Sequence, residues 1–114
     1  MRNMSFSLTT PQFRARSKTV TRRLGWEHLK PGDQLMGVVK GMGLKLGEKV
    51  ERLGPIEVVS VRREPLGHIR RCGPDECARE GFPDMLPGQF CEMFSKHNGC
   101  CEGTDITRIE FKYL

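Results

Sequence analysis

The stretch Lys18-Thr19-Val20-Thr21-Arg22-Arg23 decides how this chain is read. It gathers an amine, two hydroxyls and two guanidiniums. Its β-branched residues predict a strand, or an extended exit from a preceding helix. A threonine hydroxyl is a poor nucleophile until a base takes its proton. A lysine can be that base when burial or a nearby cation lowers its pKa. Arg22 and Arg23 are such neighbours in sequence. On a regular strand Lys18 would face away from Thr21. Only a turn or kink, such as a helix-to-strand transition supplies, brings both into one cleft. The other reading of the same spacing is a β-branched strand carrying exposed basic residues.

Upstream, Thr10-Pro11 followed by Phe13 and Ala15 predicts a short helix within Ser5–Ser17, with Thr10 as N-cap and Pro11 in the first turn. Downstream, Pro31-Gly32-Asp33 reads as a turn into a strand over Gln34–Lys40. Gly41, Gly43 and Gly47 mark a loose loop around Met42, Leu44 and Leu46, and Leu53-Gly54-Pro55 reads as a further turn. Ile56–Arg63 is the clearest strand, with Ile56, Val58, Val59 and Val61 as its apolar residues and Pro65 at its end. Gly73-Pro74-Asp75 opens a short helix over Glu76–Glu80, closed by Gly81. Pro87 opens a longer one, whose Phe90, Met93, Phe94 and His97 share a face, with Asn98-Gly99 at its end. The tail alternates Ile109, Phe111 and Tyr113 against Arg108, Glu110 and Lys112, a half-buried strand. Strands with short helices between them predict an α+β domain built on a small curled sheet or barrel, not a doubly wound parallel sheet.

At 114 residues the chain fits one domain, 1–114. A hydrophobic share of 37% supports one modest core. Apolar runs are only a few residues, so no membrane span is expected. Met1–Leu8 lacks an apolar h-region of roughly 7–15 residues, so it does not read as a secretory signal and the expected compartment is the cytoplasm. Net charge is +5. The basic residues concentrate in two stretches, Arg14, Arg16, Lys18, Arg22 and Arg23, and then Arg62, Arg63, Arg70 and Arg71. Such stretches suggest a cationic surface for phosphate, or a solvated exterior.

Three further groups carry possible chemistry. Glu80, at the end of a short helix, could serve as general acid or base, or be an exposed helix-end carboxylate. Cys72, Cys77, Cys91, Cys100 and Cys101 are odd in number and follow no secretion signal, which argues against a disulfide framework. No C-x₂-C pair is present, so free thiols are expected rather than zinc, and no metal or other cofactor is expected. His28, His68 and His97 read as ordinary polar residues. Trp26 follows Arg22-Arg23-Leu24-Gly25, which sets an aromatic ring beside a basic groove; core or rim packing is its other reading.

Lys18-x-x-Thr21-x-Arg23 resembles the core of the G-x-K-x-x-T-x-R signature of ASCH domains, which are similar to PUA domains. Arg16 stands at the signature's glycine. Pro31-Gly32-Asp33, Ala78-Arg79-Glu80 and Ile109-Glu110-Phe111-Lys112 resemble three further landmarks in the same order. The similarity runs from about Phe6 to Leu114. It implies a PUA-like β-barrel with short flanking helices and a cleft for RNA or a modified nucleoside. Some small members are amidohydrolases that deacetylate N4-acetylcytidine. Their motif threonine, motif lysine and glutamate correspond to Thr21 as nucleophile, Lys18 as base and Glu80 as proton donor. Arg16, Arg22, Arg23 and Trp26 are then expected to bind substrate or nucleic acid. Other members are ribonucleases or non-catalytic RNA-binding modules, and these remain the alternatives.

Overall fold

The computed structural model describes residues 1–41 and 44–114. The loop residues Met42 and Gly43 lie outside the described residues. In chain order the elements are β1 (Arg2–Ser5), α1 (Thr10–Arg14), β2 (Val20–Arg23), β3 (Gln34–Val38), β4 (Arg52–Pro65), a 3₁₀ turn (Leu66–His68), α2 (Ile69–Cys72), α3 (Pro74–Arg79), α4 (Pro87–Asn98) and β5 (Asp105–Tyr113). The strands form a mixed, half-barrel sheet in the order β1-β3-β4-β5-β2. β1 runs parallel to β3, and the other pairs are antiparallel. The expected α+β class stands. Among the described residues, no helix is long and apolar enough to cross a membrane.

Two apolar clusters flank the sheet. One joins Met4, Phe6, Phe13, Leu35, Ile56 and Phe111, among others. The second joins Leu66, Ile69, Cys77, Phe90, Cys91 and Phe94 with Ile106. Helix α4 presents Phe90 and Phe94 to the second cluster, while Met93 is half-buried and His97 exposed. Gly99 ends it in the left-handed conformation, φ 64°. The Pro31-Gly32-Asp33 turn is held by hydrogen bonds between Lys30 and Asp33 in both directions.

Several expectations are corrected. β1 was not foreseen. Met4 and Phe6 fill the first cluster, and the β1 backbone completes an edge of β3. The Thr10 hydroxyl does not cap α1: Thr10 is the first helical residue and donates to the Phe6 carbonyl at 2.8 Å. Leu53-Gly54-Pro55 is not a turn but part of β4, paired with β3 residues Gly37 and Met36 through Gly54 and Pro55. Val59 alternates outward from buried Val58 and is 42% exposed, and a register shift between Val58 and Ser60 leaves it without a partner on β5. Arg108 does not face solvent. β5 lies between β4 and β2, and Arg108 is buried against Glu76 on α3.

Candidate functional site

A cavity of about 320 Å³ opens between the sheet and α4. Its polar floor is Lys18, Thr21, Arg22, Arg23 and Glu80. Phe6, Phe82, Phe90 and Phe94 wall it, and Trp26, Leu24, Leu8 and His97 stand at its margin. Phe6 belongs to one apolar cluster while Phe90 and Phe94 belong to the other, so the cavity lies at the junction of the two cores.

The chain reaches this floor through an irregular link. After α1, Arg16 adopts φ 59°, and the regular strand begins only at Val20. Lys18 therefore precedes the strand, which removes the alternation that would have opposed it to Thr21. The Tyr113 hydroxyl donates to the Lys18 carbonyl at 2.5 Å, and Thr19 N donates to the Arg79 carbonyl at 2.8 Å, tying the link to β5 and α3. Glu80 sits at the C-terminus of α3, where its backbone N–H still bonds the Glu76 carbonyl. The chain then leaves through Gly81 at φ 101°, with Gln12 of α1 donating to the Gly81 carbonyl at 3.1 Å. A Cβ at Gly81 would meet the Gln12 side chain at 3.1 Å, in a backbone region that favours glycine.

Lys18 Nζ donates to the Glu80 carbonyl at 2.7 Å and to Glu80 Oε1 at 3.0 Å. Burial pushes the Lys18 amine below the usual lysine value; Glu80 opposes the fall, and Arg23 and Arg22 add to it. Arg22 Nη1 donates to Glu80 Oε2 at 2.9 Å, so each carboxylate oxygen has a cationic partner. Arg23 Nε donates to Thr21 Oγ1 at 3.0 Å, which leaves the hydroxyl proton free for another acceptor. Burial lowers the Arg23 guanidinium to about 10.

The pocket thus brings together Lys18, Thr21, Glu80, Arg22, Arg23 and Trp26. Arg16 stands apart from it, with its guanidinium 5.5 Å from the Tyr113 ring centroid. Arg22 has no exposed side-chain surface and is enclosed by Glu64, Glu76 and Glu80. Trp26 is at the margin with φ 57°, with Arg2 4.5 Å from its ring centroid and His28 stacked on it. Much of the basic excess is internally paired: Arg14 with Glu51, Arg62 with Glu64, Arg63 with Glu27 and Arg70 with Glu102. Glu64, Glu76 and Arg108 were not singled out from sequence. The one available signal was the spacing of Glu76 and Glu80, which puts both carboxylates on one side of a helix. The cysteines are all free, and among the described residues no three His, Cys, Asp or Glu side chains are grouped to hold a metal ion.

No protein-family model and no curated protein matches the chain. Solved structures do. An ASCH domain from Lactobacillus crispatus JV V101 matches with a TM-score of 0.65 at 17% identity, over 98% of this chain and 78% of that one. A protein from Enterococcus faecalis V583 bearing the family label DUF984 matches with a TM-score of 0.66 at 12% identity, over 100% of this chain and 76% of that one. The likeness establishes an ASCH-type fold, the one the sequence motifs implied.

Proposed function

We propose that this protein hydrolyses an amide on a modified nucleoside, with N4-acetylcytidine as the first substrate to test. The observation that carries the reading is the convergence of Lys18, Thr21 and Glu80 on one cavity, with Lys18 Nζ bonded to the Glu80 carboxylate at 3.0 Å. Thr21 Oγ attacks the amide carbonyl carbon while its proton passes to neutral Lys18. Arg23 Nε, already on Thr21 Oγ1, stabilises the developing alkoxide. Both Glu80 oxygens already accept hydrogen bonds, one from Lys18 and one from Arg22, so the proton it delivers must first arrive there. The bond from Lys18 is its route. The proton passes through Glu80 to the leaving nitrogen, the C–N bond breaks, and the amine departs as cytidine. Water then attacks the acyl-threonine, its proton returns to Thr21 Oγ, and acetic acid leaves. The lowered pKa of Lys18 favours the neutral amine that this sequence needs. The phenylalanine walls offer faces against which a base can stack. The cavity volume falls near the lower end for small-ligand sites.

The test is conversion of N4-acetylcytidine to cytidine by purified protein, beside Lys18→Ala and Thr21→Ala. Turnover that falls at least about 100-fold in both variants supports the assignment. Folded protein without turnover overturns it in favour of RNA binding or cleavage. RNA binding would be recognised by affinity that drops steeply with added salt.

A further inference from the structure

At the pocket floor Arg22 and Glu80 join a charge array whose other members, Glu64, Glu76 and Arg108, the proposed reaction does not use. Arg22 Nη2 is 2.9 Å from Glu76 Oε1 and 3.8 Å from Glu64 Oε2, while Nη1 grips Glu80 Oε2 at 2.9 Å. Arg108 braces Glu76 from β5, its Nε 2.6 Å from Glu76 Oε1. The array is not fully satisfied: Arg22 Nε, Arg22 Nη2 and Glu64 Oε2 are buried without a hydrogen-bond partner, so Glu76 and Glu64 hold Nη2 as ion pairs rather than by aligned hydrogen bonds. Burying an ionised group this way is costly, and a well-packed apolar residue is often the more stable choice. Yet this costly guanidinium is in direct contact with the carboxylate that binds Lys18.

We propose that Arg22 is a positioning residue: braced by Glu64 and Glu76, it fixes the Glu80 carboxylate so that Oε1 meets Lys18. The inference rests on the Lys18/Thr21/Glu80 reading of the site. Arg22 also acts through its charge. The charged groups facing Lys18 are Glu80 from the end of α3 and Arg22 and Arg23 from β2. Those around Arg22 are Glu64 from β4 and Glu76 and Glu80 from the α3 segment, with Arg108 of β5 beyond Glu76. Arg62 and His68 reach Glu64 from its outer side, at 2.5 and 4.0 Å. Arg22 disfavours a second cation at Lys18, and the carboxylates behind it temper that effect.

Two substitutions separate holding from charge. Arg22→Gln removes a cation but also releases Glu80, whose contact raises the Lys18 value more than Arg22 lowers it, so Lys18 should titrate lower. Glu64→Gln weakens the brace but keeps Arg22 on Glu80, so the fall should be smaller. The measurement is the Lys18 titration by NMR in the full chain without substrate, with the pH profile of kcat/KM recorded alongside. The expected result is a clear fall in Arg22→Gln and a smaller one in Glu64→Gln, with the acid limb of kcat/KM following each. A midpoint unmoved or raised in folded Arg22→Gln, or an equal fall in both variants as general loosening would give, overturns the proposal. If Arg22→Gln does not fold, the Glu64→Gln midpoint decides: a fall supports the proposal and no shift overturns it. If the wild-type protein hydrolyses nothing, the amidohydrolase reading fails, while the Lys18 titration still decides the role of Arg22.

Discussion

Arg16 shows how one backbone angle assembles this site. Its φ of 59° lies in the left-handed region, at the position where the resembled signature has glycine. That conformation costs a non-glycine residue about 1–2 kcal/mol. Contact of its guanidinium with the Tyr113 ring recovers half of this at best, roughly 0.5–1 kcal/mol. Arg16→Gly relieves the strain but loses the ring contact and frees the unfolded chain. The expected outcome is stability within about 1 kcal/mol of the parent. Arg16→Val keeps the strain and adds a β-branch, so it should be at least about 1 kcal/mol less stable than Arg16→Gly. Urea unfolding of the two variants checks this, and equal stabilities would show that the turn is not strained. The types of residue needed for the proposed chemistry were legible in Lys18-x-x-Thr21-x-Arg23, and the helix-to-strand transition before them suggested the kink that brings Lys18 and Thr21 to one cleft. The left-handed turn at Arg16 was not legible, because an arginine does not announce one. The environments of Arg22 and Arg108 were equally hidden: their carboxylate partners come from β4 and α3, far away in sequence.

Elements meet here through close approaches that single residues permit. Helix α1 lays Phe13 directly over Gly37 of β3, where an added Cβ would come within 2.4 Å of Phe13 Cζ. The ring has no ready retreat. It is 3% exposed, with its centroid 4.6 Å from that of Phe6 and 5.0 Å from that of Tyr113. Gly37→Ala should therefore cost about 1–3 kcal/mol through overpacking. Phe13→Leu should itself destabilise, but combining it with Gly37→Ala should cost clearly less than the two separate losses together. Additive losses in thermal or urea unfolding would place the strain elsewhere. The same region shows why the sheet was only partly legible. Ile56–Arg63 carries a strong β-branched pattern and was read as a strand. Leu53-Gly54-Pro55 carries the residues of a turn, yet tertiary pairing carries β4 through it. β1 offered only the alternation of Met4 and Phe6, a signal too short to stand out from a polar segment.

Over the whole molecule, the buried charges join what the apolar clusters leave separate. Arg22 on β2, Glu64 on β4, Glu76 and Glu80 at α3 and Arg108 on β5 form one connected array beside the cavity. Its titration should be visible in the stability of the protein. Burial alone would raise the Glu76 carboxyl, but hydrogen bonding from Arg108 and the charges of Arg22 and Arg108 outweigh it and hold the group below the usual carboxylate value. Below the ordinary carboxylate value of 4.5, the unfolded chain then binds a proton more readily than the native one. Glu76 therefore contributes stability that is present above that value and is lost as pH falls through the lower native one. Lys18 has the same sign in another window. Burial lowers its native pKa from 10.5, so between the two values the unfolded chain again holds more protons, and stability rises with pH. Urea unfolding across a pH series should show both slopes. Glu76→Gln should flatten the acid one and leave the alkaline one, whereas Lys18→Met should do the reverse. If each variant merely lowered the whole curve without changing either slope, the array would be a packing feature rather than a titrating one. The two windows separate the halves of the site: the acid slope reports the brace behind Arg22, and the alkaline slope reports the amine that the proposed reaction requires to be neutral.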